Sequence, residues 1–370
     1  MTHLLRQELV VKFLSTETSL KGGAQLYFIG VDHHKQSSTM TVLDEQGREV
    51  RTARLLNIEA EVAAFVLEAA PGGFQAVLES GRSSYVMADF LRELGGEVKL
   101  ANPYELKAIA HAQIKTDRRD SKLLARMLRT GMIPEIYQRE LSNREAQRVM
   151  RQRIFWTRLQ VEVKNKIRVL LAQQREAVRL GVEALQDRLF GKRGLEYLSQ
   201  VALRDKDRRL LQELVAAFRE LEAHKKNSDG MVEVLYQELP SARLIDTVPG
   251  FGKTLSVMVA VEIGDVRRFS RAEKLLSYAG VIPSTHSSGE KTYHGHLKQG
   301  NTWLRWALIE AVYPATRVDP GLSIYYHRLA ARKGSNIAKA ATARRLLTII
   351  YRMLVEERRY IPYSNKTSAA

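Results

Sequence analysis

A long segment that lacks helix-breaking residues dominates this chain. Residues 141–239 contain no proline and only four glycines, and they are rich in Arg, Gln, Glu, Leu and Val. Since Pro and Gly most often interrupt or end helices, this composition predicts long helices. Within it, a roughly alternating spacing of four and three residues separates Leu159, Val163, Lys166, Leu170 and Gln173. Some of these positions are polar. That spacing predicts an imperfect coiled coil.

The residues before this segment carry alternating strand and helix patterns. Three strand patterns come first, grouped around a turn at residues 44–47, and helix and strand patterns then alternate. The predicted strands are 25–31, 38–43, 49–55, 74–78 and 97–100, and the predicted helices are 59–70, 83–94 and further helices from residue 104. Three antiparallel strands followed by alternating helices and strands is the order of an RNase H-like fold. The predicted fold class is therefore α/β at the N-terminal end and mostly all-α beyond it.

Positive charge increases along the chain. Of its 370 residues, 58 are Lys or Arg and 41 are Asp or Glu, which gives a net charge of +17. The excess of basic over acidic residues is 0 in residues 1–140, +6 in residues 141–240 and +11 in residues 241–370. This gradient predicts a polyanionic partner, nucleic acid first, contacted mainly through the later segments.

Several classes of protein are excluded by what the sequence lacks. It contains no cysteine, which excludes disulfides, thiolate metal sites and a cysteine nucleophile. No apolar run approaches the about 20 residues that a membrane span needs. Arg6, Glu8 and Lys12 interrupt the apolar stretch near the N-terminus, so a secretory signal is not expected. The sequence predicts a cytoplasmic protein without a membrane partner.

Four carboxylates stand at positions suited to metal binding. Asp32 ends the first apolar strand, Glu79 ends the fourth, and Asp117 and Asp120 lie three residues apart in KTDRRDSKLLARML. That spacing places the last two on one helix face. Hard divalent cations such as Mg²⁺ prefer oxygen ligands, so converging carboxylates would suit phosphoryl transfer. Helix capping, a turn or solvated charge explains each acid singly, whereas their joint arrangement predicts a metal site.

A second candidate site lies in the basic segment 277–311, where Ser288 precedes a glycine. A hydroxyl beside glycine on a cationic loop can approach a phosphate closely, and a serine can form a covalent phosphodiester with a broken strand. Candidate proton acceptors in this segment are His286, His294 and His296. Ser-Ser-Gly is also an ordinary turn sequence, and Ser287 remains an alternative to Ser288.

Residues 246–254 (DTVPGFGKT) contain a glycine-rich turn. It is not a Walker A phosphate loop, because Thr247 stands where that motif requires its first glycine. In a helix-hairpin-helix element, Gly250 and Gly252 would present backbone N–H groups to a DNA phosphate before a helix over 255–263. A purely structural turn explains these residues equally well. Nucleic-acid contacts are predicted at Gly250, Gly252, Lys253, Lys291, His294, Lys298, Arg305, Arg344 and Arg345.

The chain resembles the DEDD transposases of the IS110 insertion-sequence family, relatives of the Piv-type DNA invertases. The resemblance rests on blocks in the family's order and approximate spacing: GVDHHK, VLES, KTDRRDSKLLARML, TVPGFGKTLSVMVAVEIGDVRRF, and YAGVIP followed by SSGEK and GHLKQGNTWLRWALIEA. It implies a RuvC-like domain over residues 26–140, a helical coiled-coil segment over 141–240 used in assembly, and a C-terminal transposase domain over 241–370. Residues 1–25 are an N-terminal extension outside the match.

The resemblance also implies roles for single residues. The acidic tetrad falls on Asp32, Glu79, Asp117 and Asp120, which would bind Mg²⁺ or Mn²⁺, and the nucleophilic serine falls on Ser288. Members of this family are guided by a structured bridge RNA that pairs with donor and target double-stranded DNA, and they recombine through a covalent phosphoserine. The resemblance therefore implies DNA and RNA partners and a dimer or tetramer. His33 and His34 depart from the small or aliphatic residues that follow the first Asp in many members.

Two other functions fit the same residues. In a metal-dependent Holliday-junction resolvase or nuclease, the acids would activate water and Ser288 would be structural only. Water attack leaves free DNA ends, whereas serine attack leaves protein joined to DNA. In a non-enzymatic architectural nucleic-acid-binding protein, the acids would only cap and solubilise the first domain, and binding would survive EDTA.

Overall fold

The computed structural model describes residues 25–109, 116–288, 291–297 and 300–362, with the backbone alone for residues 283–297. Residues 1–24 of the predicted extension, and Lys298, lie outside the described part of the chain. The chain forms two compact units that divide between Gln138 and Arg139.

The described residues of the first unit form a five-stranded mixed sheet with helices. The strands are β1 (Tyr27–His33), β2 (Ser37–Leu43), β3 (Glu49–Leu56), β4 (Phe74–Glu79) and β5 (Glu97–Ala101). The helices are α1 (Glu59–Ala69), α2 (Ser84–Glu93), α3 (Pro103–Ile109) and α4 (Asp117–Arg129). The strand order is β3-β2-β1-β4-β5, antiparallel from β1 to β3 and parallel from β1 through β4 to β5. The predicted three-stranded hairpin, and the alternation of helices and strands after it, are confirmed.

The alternation of side chains along β1 separates two packing faces of the sheet. Ile29 and Val31 are fully buried in a core shared with α1 and α2. Phe28 packs on the opposite face, in a cluster that includes residues of α4. Gly30 lies on this second face, so close to α4 that a Cβ atom there would overlap the carbonyl oxygen of Ser121. The absence of a side chain at Gly30 therefore lets α4 lie directly on the central strand.

The described residues of the second unit are helical apart from one hairpin. Its first helices are α5 (Leu141–Ala172), α6 (Glu176–Leu185), α7 (Lys192–Gln200) and α8 (Asp205–Glu238), with a 3-10 turn at Gln186–Phe190. They are followed by α9 (Pro240–Ile245), α10 (Lys253–Ile263), a 3-10 turn (Val266–Arg268) and α11 (Ala272–Ala279). The hairpin strands β6 (Pro283–Ser288) and β7 (Lys291–Leu297) precede α12 (Thr302–Val318), α13 (Pro320–Lys333) and α14 (Ser335–Val355). The prediction of long helices between residues 141 and 239 is confirmed.

Helices α5 and α8 pack against each other in antiparallel orientation. Near the start of α5, Arg153 forms an ion pair with Asp229, which lies towards the end of α8, at 2.9 Å. Just beyond the end of α5, Gln174 donates a hydrogen bond to Asp207 in the first turn of α8 at 3.3 Å. These pairs fix the direction of the two helices relative to each other.

The buried side of α5 follows the predicted spacing only in part: Val163 and Leu170 pack against the core that contains Ile167 and Leu171. Lys166 and Gln173 are exposed and Leu159, Val163 and Leu170 are only half-buried. The buried residues of α5 are Ala146, Gln147, Met150, Ile154, Gln160, Ile167 and Leu171. The prediction rested on the spacing of the leucines. The packed side of the helix also contains polar residues, because partners on other elements contact them. Lys164, for example, lies 5.3 Å from the ring centroid of Phe190 and 5.4 Å from that of Phe218.

The main core of the second unit surrounds α10. Every residue from Ser256 to Ile263 is buried, and the helix packs against α8, α9, α12 and the first part of α5. The helix predicted over 255–263 is thus confirmed, with observed bounds Lys253–Ile263. A smaller core at the other end of α5 contains Ile167, Leu189 and Leu211. Within the described ranges, no helix combines the length and apolar character that crossing a membrane requires.

Candidate functional site

The carboxyl ends of β1 and β4 meet at one edge of the sheet. The two strands are parallel neighbours, and Val31 pairs with Leu78. Asp32 and Glu79 are the next residues on each strand, so they occupy equivalent positions. Val31 and Leu78 face the core shared with α1 and α2. Alternation therefore places both acids on the opposite face, which is the face of α4.

The first turn of α4 adds two more acids. Asp117 and Asp120 lie there one helical turn apart, and negative charge is favourable at a helix N-terminus. Thr116 caps the helix, since its side chain accepts a hydrogen bond from the N–H group of Arg119. The helix therefore starts at a defined residue and gives both acids a defined position.

Contacts with β2 and β3 hold this end of α4 against the sheet. The hydroxyl groups of Ser121 and Thr41 are hydrogen-bonded at 2.8 Å. On β3, Glu49 accepts hydrogen bonds from Lys122 at 2.6 Å and from Arg118 at 2.9 Å. These bonds, that of Lys122 first, lower the pKa of Glu49 to about 2. Glu49 is thus a charged anchor for the acid-bearing helix.

His34 lies between two of the four acids. Its Nε2 atom is 3.3 Å from Oδ2 of Asp32 and 3.7 Å from Oδ1 of Asp117. One ligand atom from each of the three residues lies within 4.8 Å of the others. The side chains of His34, Asp32 and Asp117 are 55%, 21% and 47% exposed, so the cluster is open to solvent. Within the described residues, it is the one group of His, Asp and Glu close enough together to hold a metal ion.

The electrostatics of the cluster favour a bound cation. Burial raises the pKa of Asp32, and the neighbouring charges of Asp117 and Asp120 raise it further, while His34 lowers it. The ionised carboxylates therefore repel one another, and a divalent cation would remove that repulsion. Oxygen atoms dominate this donor set, which fits Mg²⁺ or Mn²⁺.

The four acids predicted to bind metal are not equally placed. Asp32 and Asp117 belong to the close cluster, and Asp120 is near enough to raise the pKa of Asp32. Glu79 shares the sheet edge and face with Asp32 but lies outside the group of atoms within 4.8 Å. His34 belongs to the cluster although the sequence marks it only as a departure from the family pattern. The sequence feature that could have indicated a role for His34 is its position two residues after an acid at a strand end.

The segment containing Ser288, predicted as a loop, forms the antiparallel hairpin β6–β7. Ser288 pairs with Lys291 across the hairpin, and Ser287 pairs with Thr292. The prediction was wrong because these short strands are polar and show no alternation of apolar and polar residues, which is the usual signal of a strand. The side chains of Ser287, Ser288, Lys291 and His294 lie outside the described atoms.

Both ends of this hairpin leave the core at one place. Gly300 lies against Gly280, where a Cβ on Gly300 would stand 2.5 Å from the Gly280 nitrogen. The N–H group of Asn301 donates a hydrogen bond to the Tyr278 carbonyl at 2.8 Å. The Asn301 side chain also caps α12 by accepting a hydrogen bond from the N–H group of Leu304 at 3.0 Å. The base of the hairpin is therefore fixed to the helical core.

A buried carboxylate reinforces this base. Glu262 is completely buried in the part of α10 from Val257 to Ile263, whose other residues are all apolar. Its oxygens accept hydrogen bonds from Arg151 at 2.9 Å, Gln147 at 2.9 Å and Asn301 at 2.8 Å. The carboxylate thus connects α5, α10 and α12. The sequence does not predict this role, because one Glu at the end of an apolar helix is typical of a solvent-facing position.

The predicted helix-hairpin-helix residues have different environments. Gly250 has a φ of +88°, and a Cβ there would stand 2.6 Å from the carbonyl oxygen of Ala311, so this glycine permits close packing against α12. Gly252 is exposed at the start of α10. The Lys253 ammonium group forms an ion pair with Glu233 at 2.7 Å.

Three further arginines were predicted to contact nucleic acid. Arg344 is exposed on α14. The guanidinium of Arg345 lies 4.5 Å from the ring centroid of Tyr325. Arg305 donates a hydrogen bond to the carbonyl oxygen of Gly280 at 3.3 Å, at the base of the serine hairpin. The three therefore differ in how free their charges are to meet a phosphate.

Comparison with known proteins connects both candidate sites to one family. Residues 29–175 match a transposase model of the IS110 DEDD type, and residues 242–327 match the model described as transposase IS116/IS110/IS902 family. The first range includes all four acids, and the second includes the serine hairpin.

Several curated proteins are similar to the chain. The transposase for insertion sequence element IS1111A of Coxiella burnetii is 22% identical over 363 residues, 96% of each chain. A 43.6 kDa protein of insertion element IS110 of Streptomyces coelicolor is 27% identical over 143 residues, 38% of this chain and 35% of that one. The pilin gene-inverting protein of Moraxella bovis is 34% identical over 124 residues, 32% and 38% of the two chains.

A mixed sheet with acids at one edge, followed by a helical transposase region, defines an enzyme that recombines DNA. The chain belongs to the IS110 family of DEDD transposases. The non-enzymatic architectural alternative is therefore not retained. The family assignment makes DNA a partner of the chain.

Proposed function

We propose that this transposase cuts and rejoins DNA through a covalent phosphoserine on Ser288, with a divalent cation held by Asp32, Glu79, Asp117 and Asp120. The observation that carries the proposal is the gathering of the acids around the carboxyl ends of β1 and β4. The strand order β3-β2-β1-β4-β5 is that of the RNase H-like, RuvC-like fold proposed for residues 26–140. The segments 141–240 and 241–370 are the proposed assembly and transposase domains.

The cation is Mg²⁺ or Mn²⁺, which when bound neutralises the negative charge that builds up on a phosphate during strand transfer. The residues of the chain hold it in place. Asp117 and Asp120 come from a capped helix end, and Asp32 and Glu79 from adjacent strand ends. Regular secondary structure thus fixes the backbone positions of all four acids, which favours a preorganised site.

The serine step conserves the phosphodiester bond. The Oγ atom of Ser288 attacks phosphorus, and the bond from phosphorus to a deoxyribose oxygen breaks. The serine proton passes to an acceptor, for which His286, His294 and His296 are candidates, and the departing sugar oxygen gains a proton. A sugar hydroxyl of another strand then attacks the phosphoserine and restores the serine, so rejoining requires no ATP.

The partners are double-stranded donor and target DNA together with a structured bridge RNA, and the chain acts as a dimer or tetramer. The basic excess of the later segments supports contact with nucleic acid along them. The proposed contacts are Gly250, Gly252, Lys253, Lys291, His294, Lys298, Arg305, Arg344 and Arg345. Sequence specificity resides in the RNA, so a code of side chains reading bases is not expected. The predicted cytoplasmic location remains a prediction.

A covalent-capture experiment tests the proposal. End-labelled DNA spanning an element junction is incubated with Mg²⁺, the protein and RNA transcribed from the element's flank, quenched in denaturant and run on a protein gel. We expect label to migrate with the wild-type protein and to be lost in Ser288→Ala and Asp117→Asn. The matched variant Ser287→Ala should retain it.

Two outcomes contradict the proposal in different ways. If DNA is cleaved without a protein adduct and Ser288→Ala does not change the cleavage, the protein acts as a metal-dependent resolvase or nuclease. An adduct that disappears in Ser287→Ala but persists in Ser288→Ala would show that the nucleophile is Ser287.

A further inference from the structure

The backbone around His34 is held by hydrogen bonds on both sides of its peptide. Its N–H group donates to the Ser37 carbonyl oxygen at 3.0 Å, which closes a tight turn between β1 and β2. Its carbonyl oxygen accepts a hydrogen bond from Nδ2 of Asn57 at 2.8 Å. Asn57 is held in turn by the Ser38 hydroxyl, which donates to its Oδ1 at 2.6 Å. The turn therefore presents the His34 ring to the acids from a fixed backbone.

The preceding histidine provides a contrast within the same turn. Both ring nitrogens of His33 are engaged, Nδ1 with the Ser38 hydroxyl at 2.8 Å and Nε2 with the Ser83 hydroxyl at 3.0 Å. Those contacts hold His33 away from the carboxylates. His34 instead directs Nε2 towards Asp32 and Asp117. Two adjacent imidazoles thus have different surroundings, and one of them faces the acids.

The distances within the cluster suit a shared cation. A metal with donors at about 2.1 Å, arranged at right angles, separates neighbouring donor atoms by about 3 Å. The 3.3 Å and 3.7 Å separations of His34 Nε2 from the two carboxylate oxygens are near that value. Both exceed the about 2.9 Å that is typical of an N–H···O hydrogen bond. A small movement of these exposed side chains would let all three donors bind one ion.

We propose that Nε2 of His34 is a ligand of the divalent cation held by Asp32 and Asp117, which makes this a mixed nitrogen and oxygen site that selects Mn²⁺ over Mg²⁺. Imidazole nitrogen binds Mn²⁺ more readily than Mg²⁺, which keeps to oxygen ligands and water. The proposal rests on the metal site of the proposed function and adds to it a ligand and a metal preference.

Electron paramagnetic resonance tests this assignment without any DNA reaction. The full-length protein is loaded with Mn²⁺, and electron spin echo modulation reports whether a ¹⁴N nucleus is bound to the metal. We expect ¹⁴N modulation in the wild type, its loss in His34→Ala and His34→Gln, and its retention in the matched control His33→Ala. Titration calorimetry should show Mn²⁺ affinity about tenfold lower in His34→Ala, with Mg²⁺ affinity changed less than about twofold.

The outcomes separate this assignment from the proposed function. Mn²⁺ that binds the wild type without ¹⁴N modulation would overturn the role of His34 and leave the carboxylate site intact. Tighter Mn²⁺ binding in His34→Ala would also overturn the role of His34, because it would show that the imidazole ring hinders cation binding. If the wild type binds neither Mn²⁺ nor Mg²⁺, the metal-dependent function itself fails.

Discussion

Gly30 on β1 lies directly against the backbone of Ser121 on α4, with no room for a Cβ atom between them. This contact sets the distance from the helix that carries Asp117 and Asp120 to the strand that carries Asp32. It therefore links the packing of the first unit to the geometry of the acidic cluster.

Gly30→Ala should destabilise the first unit and disturb the proposed metal site. The added methyl group pushes α4 from the sheet, and overpacking of this kind costs about 1–3 kcal/mol. Urea unfolding followed by circular dichroism measures the first effect, and Mn²⁺ titration measures the second. Gly81→Ala is the control, because the nearest atom to its Cβ is 4.0 Å away. Equal stability of the two variants would show that α4 is free to shift.

Glu49→Gln should weaken the anchoring of α4 in a pH-dependent way. The pKa of Glu49 is lowered to about 2 in the folded chain, below its ordinary value of 4.5. Its stabilising contribution is therefore complete above pH 4.5 and is lost as pH falls towards 2. Because solvent reaches the ion pairs, we expect a difference of only about 1 kcal/mol at neutral pH. Unfolding curves of both proteins between those pH values should converge in acid; a constant difference would contradict this.

Glu262→Leu should destabilise the second unit strongly. It leaves the side-chain amides of Gln147 and Asn301 without the carboxylate that accepts their hydrogen bonds, and each polar group left unsatisfied costs about 1–3 kcal/mol. The Arg151 side chain is 41% exposed, so water can solvate its charge once the carboxylate is gone. The matched control is Glu233→Gln, which breaks an exposed ion pair with Lys253 and should cost less than about 1 kcal/mol. Chemical denaturation compares them.

A double variant tests the cause of that loss. Because Arg151 and Glu262 are paired, the double variant Arg151→Leu with Glu262→Leu should lose less stability than the sum of the two single variants. Strictly additive losses would show that Arg151 and Glu262 do not act as a pair.

Binding to nucleic acid should weaken steeply with salt. If about six phosphates are contacted, affinity for duplex DNA falls about a thousandfold between about 50 and 200 mM salt. Arg344→Ala should reduce the slope of log affinity against log salt by about 1. Arg48→Ala, which alters a residue already paired with Asp44, should not change it. Fluorescence anisotropy measures both slopes, and an affinity that is nearly independent of salt would refute the electrostatic argument.

The first unit is the part best predicted from sequence. Its strands are short runs of apolar residues bounded by turns, and that signal is local. The acids could be found because Asp32 and Glu79 end such runs. His34 could not be assigned a role, because its place between Asp32 and Asp117 depends on a turn and on a helix more than 80 residues further along the chain.

The second unit shows what local patterns miss. The packed side of α5 includes polar residues whose partners, such as Asp229 and Phe218, lie on another helix, so the leucine pattern follows it only in part. The β6–β7 hairpin is polar, so its strands lack the usual alternation. Glu262 is buried only because Arg151 and two amides meet it there. Each of these features depends on long-range pairing, which residue spacing does not contain.

Because Gly280 and Gly300 are in contact, the β6–β7 hairpin between them is a segment that can be exchanged without changing the core. A segment whose two ends meet on the core can change in length at little entropic cost, since loop closure depends only weakly on loop length. Hairpins from relatives could accordingly be grafted onto this core between the same two glycines. The hairpin that carries the proposed nucleophile could then change, in evolution or by engineering, while the helices that fold the unit stay unchanged.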